Sequence, residues 1–337
     1  MTTSQSDLFG EADPAPDAAD PDPALAELAR ALPTELRFGT SSWAFPGWAG
    51  LVYRSRQREA HLSRRGLAAY SRHPLLRAVG IDRSFYAPVP AEELRAYADS
   101  TPGDFRFLMK AHAALTTPRS ARRPEFLAKA PEAFLDAEYA ARRVIEPAAR
   151  ALGSKLGVVL MQFSPLPAVA LRARAQLLDR LHAFLTALPR GVCYAIEWRD
   201  RDILGADYEA LLADTGAVHG YCAHPRMPRL AEQIRSPLAG SVAAAGPLVV
   251  RWLLERHQGY EEAKSRYAPF DRLVDPDPVT RNEIVACAQS AITDSRSALV
   301  IINNKAEGSA PLSILELARA YAVDSDRHLA DSAPLLE

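Results

Sequence analysis

Between Leu36 and the C-terminal region, a short apolar run rich in β-branched and aromatic residues is followed eight times by a segment with helical apolar spacing. That alternation constrains the fold more than any other feature. The runs are LRFGTSSW from Leu36, AVGIDRSFY from Ala78, FRFLMKA from Phe105, LGVVLMQF from Leu156, VCYAIEW from Val192, AVHGYCAH from Ala217, LVVRWLL from Leu248 and ALVIINN from Ala298. Most are continuous apolar stretches, as expected of parallel strands covered on both faces. Successive β-then-α units require right-handed crossovers and a parallel sheet, open or closed. No GxGxxG follows the first run and no GxxxxGK[ST] occurs in the chain. Eight units without those phosphate loops favour a single-domain TIM-type (β/α)8 barrel over an open nucleotide-binding sheet.

The intervening helices can be counted from their spacing. Phe134, Ala137, Ala141, Val144, Ala148 and Leu152 define one apolar face, with Gly153 as its stop and Pro147 as an expected kink. Leu177, Leu181, Phe184 and Leu188 define another. Pro90 with Glu92 and Glu93, and Ser309 with Pro311, read as helix starts. These elements place the barrel at residues 34–323. Residues 1–33 are rich in Pro, Ala and Asp, with no Lys or Arg before Arg30, and read as a disordered acidic tail. Residues 324–337 read as a shorter C-terminal tail.

Charge removes several classes of function. Forty basic against 41 acidic side chains leave a formal net charge of -1, so no global field holds the chain on nucleic acid or an anionic membrane. Cys193, Cys222 and Cys287 are odd in number and far apart, which fits neither a disulfide framework nor a CxxC metal site. With no membrane-length apolar stretch and an acidic N-terminus, a cytoplasmic protein is expected.

In a barrel of this kind the functional side chains come from the C-terminal ends of the strands. Polar residues gather there: Ser41, Ser42 and Trp43 after the first run, Asp82, Ser84 and Tyr86 in the second, Lys110 and His112 after the third, and Gln162 at the fourth. Glu197, Trp198 and Arg199 follow in the fifth, His224 in the sixth, Arg251 in the seventh, and Asn303, Asn304 and Lys305 after the eighth. The histidines lack metal-ligand spacing.

These segments resemble the YecE-like family, known as domain of unknown function seventy-two, across roughly residues 37 to 323. The resemblance is carried by FGTSSWAFPGWAGLVY with Gly39, Thr40, Ser41, Trp43, Trp48, Gly50 and Tyr53, and by GIDRSFYAPVP, FRFLMKAHAALTTP, MQFSPLP, AIEWRD and IINNKAEGSAP. It implies a TIM-type barrel and brings no settled reaction. Asp82 stands where the family usually has Glu, and an Arg-x-His-Gly after strand seven is stretched here into RWLLERHQGY, which transfers Arg251 more securely than His257.

Glu197 is the leading candidate for a general acid or base, because a carboxylate in a parallel strand is costly to bury unless it is paired or faces a cavity. The structural alternative is an ion pair with Arg199. Asp82 and Lys110 complete the catalytic candidates. If Glu197 and Asp82 face each other, they divide acid and base roles or hold a divalent cation such as Mg2+ or Mn2+. Lys110, Arg199, Arg251 and Lys305 point to an anionic ligand, phosphate first, with Asn303 to Ser309 as the phosphate loop. Ser42, Trp43, Tyr86, Gln162, Asn303 and Asn304 are the remaining substrate-binding candidates. The four tryptophans could form an aromatic wall, although core packing explains each one singly.

The expected function is therefore an enzyme acting on a phosphate-bearing substrate, such as a phosphodiester or nucleic-acid end. A non-catalytic binding module and a sugar-phosphate isomerase or lyase are the alternatives. Gln5, Leu8 and Phe9 also resemble the short Gln-x-x-Leu-Phe peptide that docks bacterial DNA enzymes on the replication sliding clamp. A peptide covering Thr2 to Glu11 is expected to bind that clamp weakly in fluorescence anisotropy, with the two apolar anchors supplying nearly all the net affinity. Combined Leu8→Ala and Phe9→Ala substitution should abolish the binding; equal behaviour of the two peptides would remove the link.

Overall fold

Eight parallel strands close on themselves in chain order, each hydrogen-bonded to the next and the last to the first. In the computed structural model, which describes residues 14–20, 22–118, 132–235, 246–257 and 259–331, the strands are β1 Leu36–Thr40, β2 Leu76–Ile81, β3 Arg106–Lys110 and β4 Leu156–Gln162. They continue with β5 Tyr194–Glu197, β6 Val218–Ala223, β7 Leu248–Trp252 and β8 Ala298–Ile302. All eight expected runs contain strands; Lys110, Gln162, Glu197 and Arg251 stay within theirs, whereas the other polar ends fall past the last strand residue. Ser41, Asp82, His112, Arg199, His224 and Asn303 therefore lie in the loops that follow.

Side chains alternate along each strand, and the two parities separate two cores. Ala78, Leu108, Val158, Leu160, Ala195, Val218, Val249, Leu299 and Ile301 fill the barrel interior. The opposite parity, including Val79, Met109, Val159, Ile196, Val250 and Val300, packs outward against the helices. Leu177, Leu181 and Phe184 of the helix Arg174–Ala187 and Leu188 at its end are all buried, as their spacing requires. Pro147 has no N–H to bond the Arg143 carbonyl. The chain accordingly runs as Ala137–Ala140 and Glu146–Leu152 on either side of a wider π turn, Ala141–Ile145.

The ends differ from expectation. Within the stretch assigned to a disordered tail, the described part has regular structure: Pro23–Ala31 is a helix whose N-cap Asp22 accepts from the Ala24 N–H at 2.9 Å, with Pro23 in the first turn. It packs on the last helix, Ala310–Asp331, which also runs past the expected boundary at residue 323. Just before it, Ala19 N donates to Val52 O at 2.9 Å, and Arg54 meets Asp20 at 3.0 Å. A cavity of about 660 Å³ lies beside this strap, lined by Leu25, Leu28, Leu51, Val52 and Leu315. It lies on the barrel's flank and carries none of the strand-end polar groups. Gln5, Leu8 and Phe9 fall outside the described residues.

No helix among the described residues is long and apolar enough to cross a membrane. The three cysteines are free thiols.

Barrel closure makes a steric demand on Gly39. The β1–β2 register shifts between Phe38 and Gly39, and a Cβ on Gly39 would stand 2.2 Å from the Ala78 carbonyl oxygen. Backbone cannot yield as a flexible side chain would. Gly39→Ala should therefore cost about 1–3 kcal/mol of unfolding free energy in urea titrations, the usual range for overpacking; an unchanged midpoint would mean that the two strands can separate.

Candidate functional site

The site is the top layer of the barrel interior. Counting two residues on from each interior apolar side chain leads from Ala78 through Gly80 to Asp82, from Leu108 to Lys110, and from Leu160 to Gln162. The same step leads from Ala195 to Glu197, from Val249 to Arg251 and from Ile301 to Asn303. One strand parity thus builds both the plug and the polar layer above it.

Glu197 is at the centre and has no exposed surface. Its Oε1 lies 2.6 Å from Arg199 Nη1, while Arg251 Nη1 donates to Oε1 at 3.0 Å and lies 3.1 Å from Oε2. Gly220 on the neighbouring strand leaves the space for it, since a Cβ there would meet the Glu197 Cβ at 3.2 Å. Burial alone would raise the carboxyl pKa. The Arg199 and Arg251 guanidiniums, followed by the Lys110 ammonium, outweigh that and hold it below the ordinary value. A carboxylate with both oxygens engaged by guanidiniums is a poor proton acceptor; its work is to neutralise and position the two arginines.

Arg251 is also buried and reaches three ways. Besides Glu197, its Nη1 lies 3.4 Å from Gln162 Oε1, and its Nη2 is 3.5 Å from Asp82 Oδ1. The cation between Glu197 and Asp82 is therefore a guanidinium. Among the described residues, no group of three or more His, Cys, Asp or Glu side chains is placed to hold a metal ion. The donor set, with two arginines and a lysine around two carboxylates, does not fit Mg2+ or Mn2+. Asp82 opens a short 3-10 turn, Asp82–Phe85, fixed against β3 where Ser84 Oγ donates to the Lys110 carbonyl at 2.6 Å. Its 3.5 Å separation from Arg251 is a gap that a side chain one methylene longer would close.

Lys110 is buried, with its Nζ 4.3 Å above the Phe85 ring. Burial pushes its pKa down to about 8; Asp82 opposes the shift, Arg251 adds to it, and Glu197 opposes it. Lys305 Nζ lies 4.3 Å over the Tyr260 ring and 3.3 Å from Asn303 Oδ1, and burial lowers its pKa too. Asp82 is within electrostatic reach of Lys110, Arg251 and Lys305.

Other candidates have structural positions. Trp43 is buried against Tyr97 and donates its indole N–H to the Leu62 carbonyl at 3.0 Å. Ser42 Oγ accepts from the Ala44 N–H at 3.3 Å and fixes its own loop. Asn304 Oδ1 accepts from Trp48 Nε1 at 3.2 Å and from the Ala310 N–H at 2.8 Å, joining the β1 loop to the last helix. All four tryptophans are buried, so they pack and do not line the mouth. His257 is exposed in the loop after β7, and its backbone N–H donates to Glu255 at 2.7 Å.

Two groups at the mouth have no catalytic or binding role assigned from the sequence, although His224 counts among the polar strand ends. His224, after β6, lies within electrostatic reach of Arg199, Glu197 and Arg251; burial, then Arg199, lowers its pKa to about 4. Tyr260 opens the helix Tyr260–Tyr267, eight residues beyond the end of β7. The Gly-Tyr pair closing RWLLERHQGY was the available signal for it.

The β7 and β8 loops are fastened together. Glu307 is fully buried; its carbonyl accepts from the Val274 N–H at 2.7 Å, and its carboxylate from the Asp277 N–H at 2.6 Å and Arg281 Nε at 3.1 Å. Glu255 N donates to Lys305 O at 2.9 Å. Gly308, at φ +119°, allows the close approach, because a Cβ there would meet Arg272 O at 2.5 Å.

The sequence profile described as "Protein of unknown function DUF72" matches residues 37–335. A DUF72 family protein from Thermotoga maritima MSB8 superposes with a TM-score of 0.55 at 18% identity, covering 85% of this chain and 98% of that one. One from Enterococcus faecalis V583 gives 0.54 at 18% identity, covering 85% and 95%. At this identity the likeness is one of fold. No curated protein gives a significant match.

Replacing Glu197 tests its assigned position. Glu197→Gln keeps the shape but leaves Arg199 without its carboxylate and Arg251 with only the longer 3.5 Å contact to Asp82, so it should cost about 3–5 kcal/mol of stability, as breaking a buried pair does. That departs from the expectation for a purely catalytic carboxylate, which loses rate while keeping its thermal midpoint. Because the folded-state pKa is depressed, the wild-type contribution is in place above the unfolded value and is lost as pH falls through the folded one. Urea titrations of both proteins at pH 7 check this; equal midpoints would contradict it.

Proposed function

The chain belongs to the DUF72 family, and from that premise we propose that it is an enzyme acting on a phosphate-bearing substrate held at the C-terminal mouth of the barrel. The observation that carries the reading is the charge balance of the top layer. Among the described residues, Lys110, Arg199, Arg251 and Lys305 are faced by Glu197 and Asp82, while Lys264 and Glu261, of opposite charge, both act on Lys305; the balance is an excess of two positive charges in a largely desolvated layer. By itself a layer of that kind carries uncancelled charge, and an anion of charge two balances it.

Lys110 is the proton donor in this reading. An ammonium with a pKa of about 8 is mostly charged at neutral pH, yet releases its proton far more readily than an ordinary lysine. It can stabilise the phosphoryl oxygens and then protonate a departing ester oxygen. Asp82 is the carboxylate that keeps solvent access, with about a third of its side chain exposed, and it is placed to orient an attacking water. Glu197 fixes Arg199 and Arg251, which hold the phosphoryl charge.

Sulfate is the appropriate first probe because it keeps its charge across the range in which Lys110 titrates. Calorimetry should find one sulfate site whose affinity is greatest below pH 8 and falls above it as Lys110 loses its proton. Lys110→Met and Lys305→Met should each weaken binding about tenfold, the loss expected of one charge-assisted hydrogen bond. A phosphomonoester screen with wild-type and Lys110→Met protein then reads the chemistry. Absence of sulfate and phosphate binding at millimolar concentration would overturn the reading.

A further inference from the structure

Among the described residues, the exposed large apolar side chains are Tyr86, Val169, Tyr260, Val279 and Val323. The two aromatic ones both stand at the mouth. Tyr86 is 57% exposed and directly follows the Asp82–Phe85 turn after β2; Tyr260 is 58% exposed and begins the helix after β7. Tyr260 touches one cation of the site, and Tyr86 touches the ring that lies against another. Lys305 Nζ lies 4.3 Å from the Tyr260 ring centroid. Lys110 Nζ lies 4.3 Å from Phe85, whose ring meets Tyr86 edge-on at 5.7 Å.

β2 and β7 are separated in the closed sheet by β1 and β8, so the two tyrosines approach from different sectors of the rim. They are near enough to interact: after burial, the Tyr260 phenol and then Asp82 push the Tyr86 pKa up. Tyr86 caps the turn that carries Asp82, and Tyr260 is the first residue of the helix after β7. Aromatic rings that keep more than half of their surface exposed beside an anion site gain apolar burial when a flat ring stacks on them.

We infer that Tyr86 and Tyr260 grip the base of a nucleotide whose phosphate sits on Lys110, Arg199, Arg251 and Lys305. This rests on the phosphate-site reading and narrows it to one substrate class. Ring stacking on tyrosine is tolerant of base identity, so the grip selects nucleotides from other phosphate esters without selecting a sequence. A free nucleoside monophosphate and the terminal nucleotide of a strand present the same chemistry.

The test compares inorganic phosphate, ribose 5-phosphate, AMP and a 5′-phosphorylated single strand by calorimetry, using the full chain. AMP should bind at least about fivefold more tightly than ribose 5-phosphate, the low end of what one stacked base contributes. Tyr86→Ala and Tyr260→Ala should each remove most of that margin, read within each variant as the ratio of AMP to ribose 5-phosphate affinity. Tyr86→Phe and Tyr260→Phe should retain it. A strand that binds more tightly than AMP, and loses that through the same substitutions, assigns the site to a strand end; equal affinities assign it to free nucleotides, and either supports the grip. Equal binding of AMP and ribose 5-phosphate, or alanine variants that leave the AMP affinity unchanged, would overturn it. Failure of inorganic phosphate itself would instead strike at the phosphate site.

Discussion

A carboxylate shut away from solvent between two guanidiniums holds the mouth of this barrel in shape. Removing Glu197 from solvent is strongly unfavourable by itself, and only Coulombic attraction and hydrogen bonding at 2.6 to 3.1 Å offset it. The dependence runs both ways. Arg199 and Arg251 share one anion, and without it two buried like charges would repel across a short gap. Gly220 has no side chain at this level because Glu197 occupies the space, and Gln162 and Asp82 take their places around Arg251. One carboxylate for two arginines also leaves charge uncancelled, so the interaction that orders the layer keeps it receptive to an anion.

Much of this was legible in the sequence because a closed parallel sheet converts strand parity into position. Once the eight runs are recognised, Lys110, Gln162, Glu197, Arg251 and Asn303 follow as the residues two steps beyond the interior plug. What strand parity does not settle is partner choice. The pattern AIEWRD offers Arg199 to Glu197, whereas the bond from Arg251, 54 residues away, depends on which rotamers meet across the barrel. Trp43 was misjudged because the chain leaves the sheet after Thr40 and turns outward, ending the alternation that would have aimed it inward. Asn304 followed the same route into a structural joint.

Composition misled at the N-terminus. A stretch dominated by Pro, Ala and Asp offers little for a core, yet Asp22 and Pro23 form a helix-starting pair, and Leu25 and Leu28 are spaced to face one neighbour. Tyr260 was missed for a different reason. It is reached only through a loop and a helix cap, where neither periodicity nor strand position predicts direction.

The fastening between the β7 and β8 loops governs how a ligand would be received. Glu307 joins the backbone at Val274 and Asp277 to Arg281, and the Glu255 N–H holds the Lys305 carbonyl, so Lys305 and Glu255 belong to one framework. Loops tied in this way have surrendered much of their conformational freedom during folding. A ligand arriving there does not have to supply that entropy again, and more of its contact energy survives as affinity. The two loops are also denied independent motion. Widening the mouth on this side would require them to rock as one body, a slower and more concerted event than the flicker of a free loop.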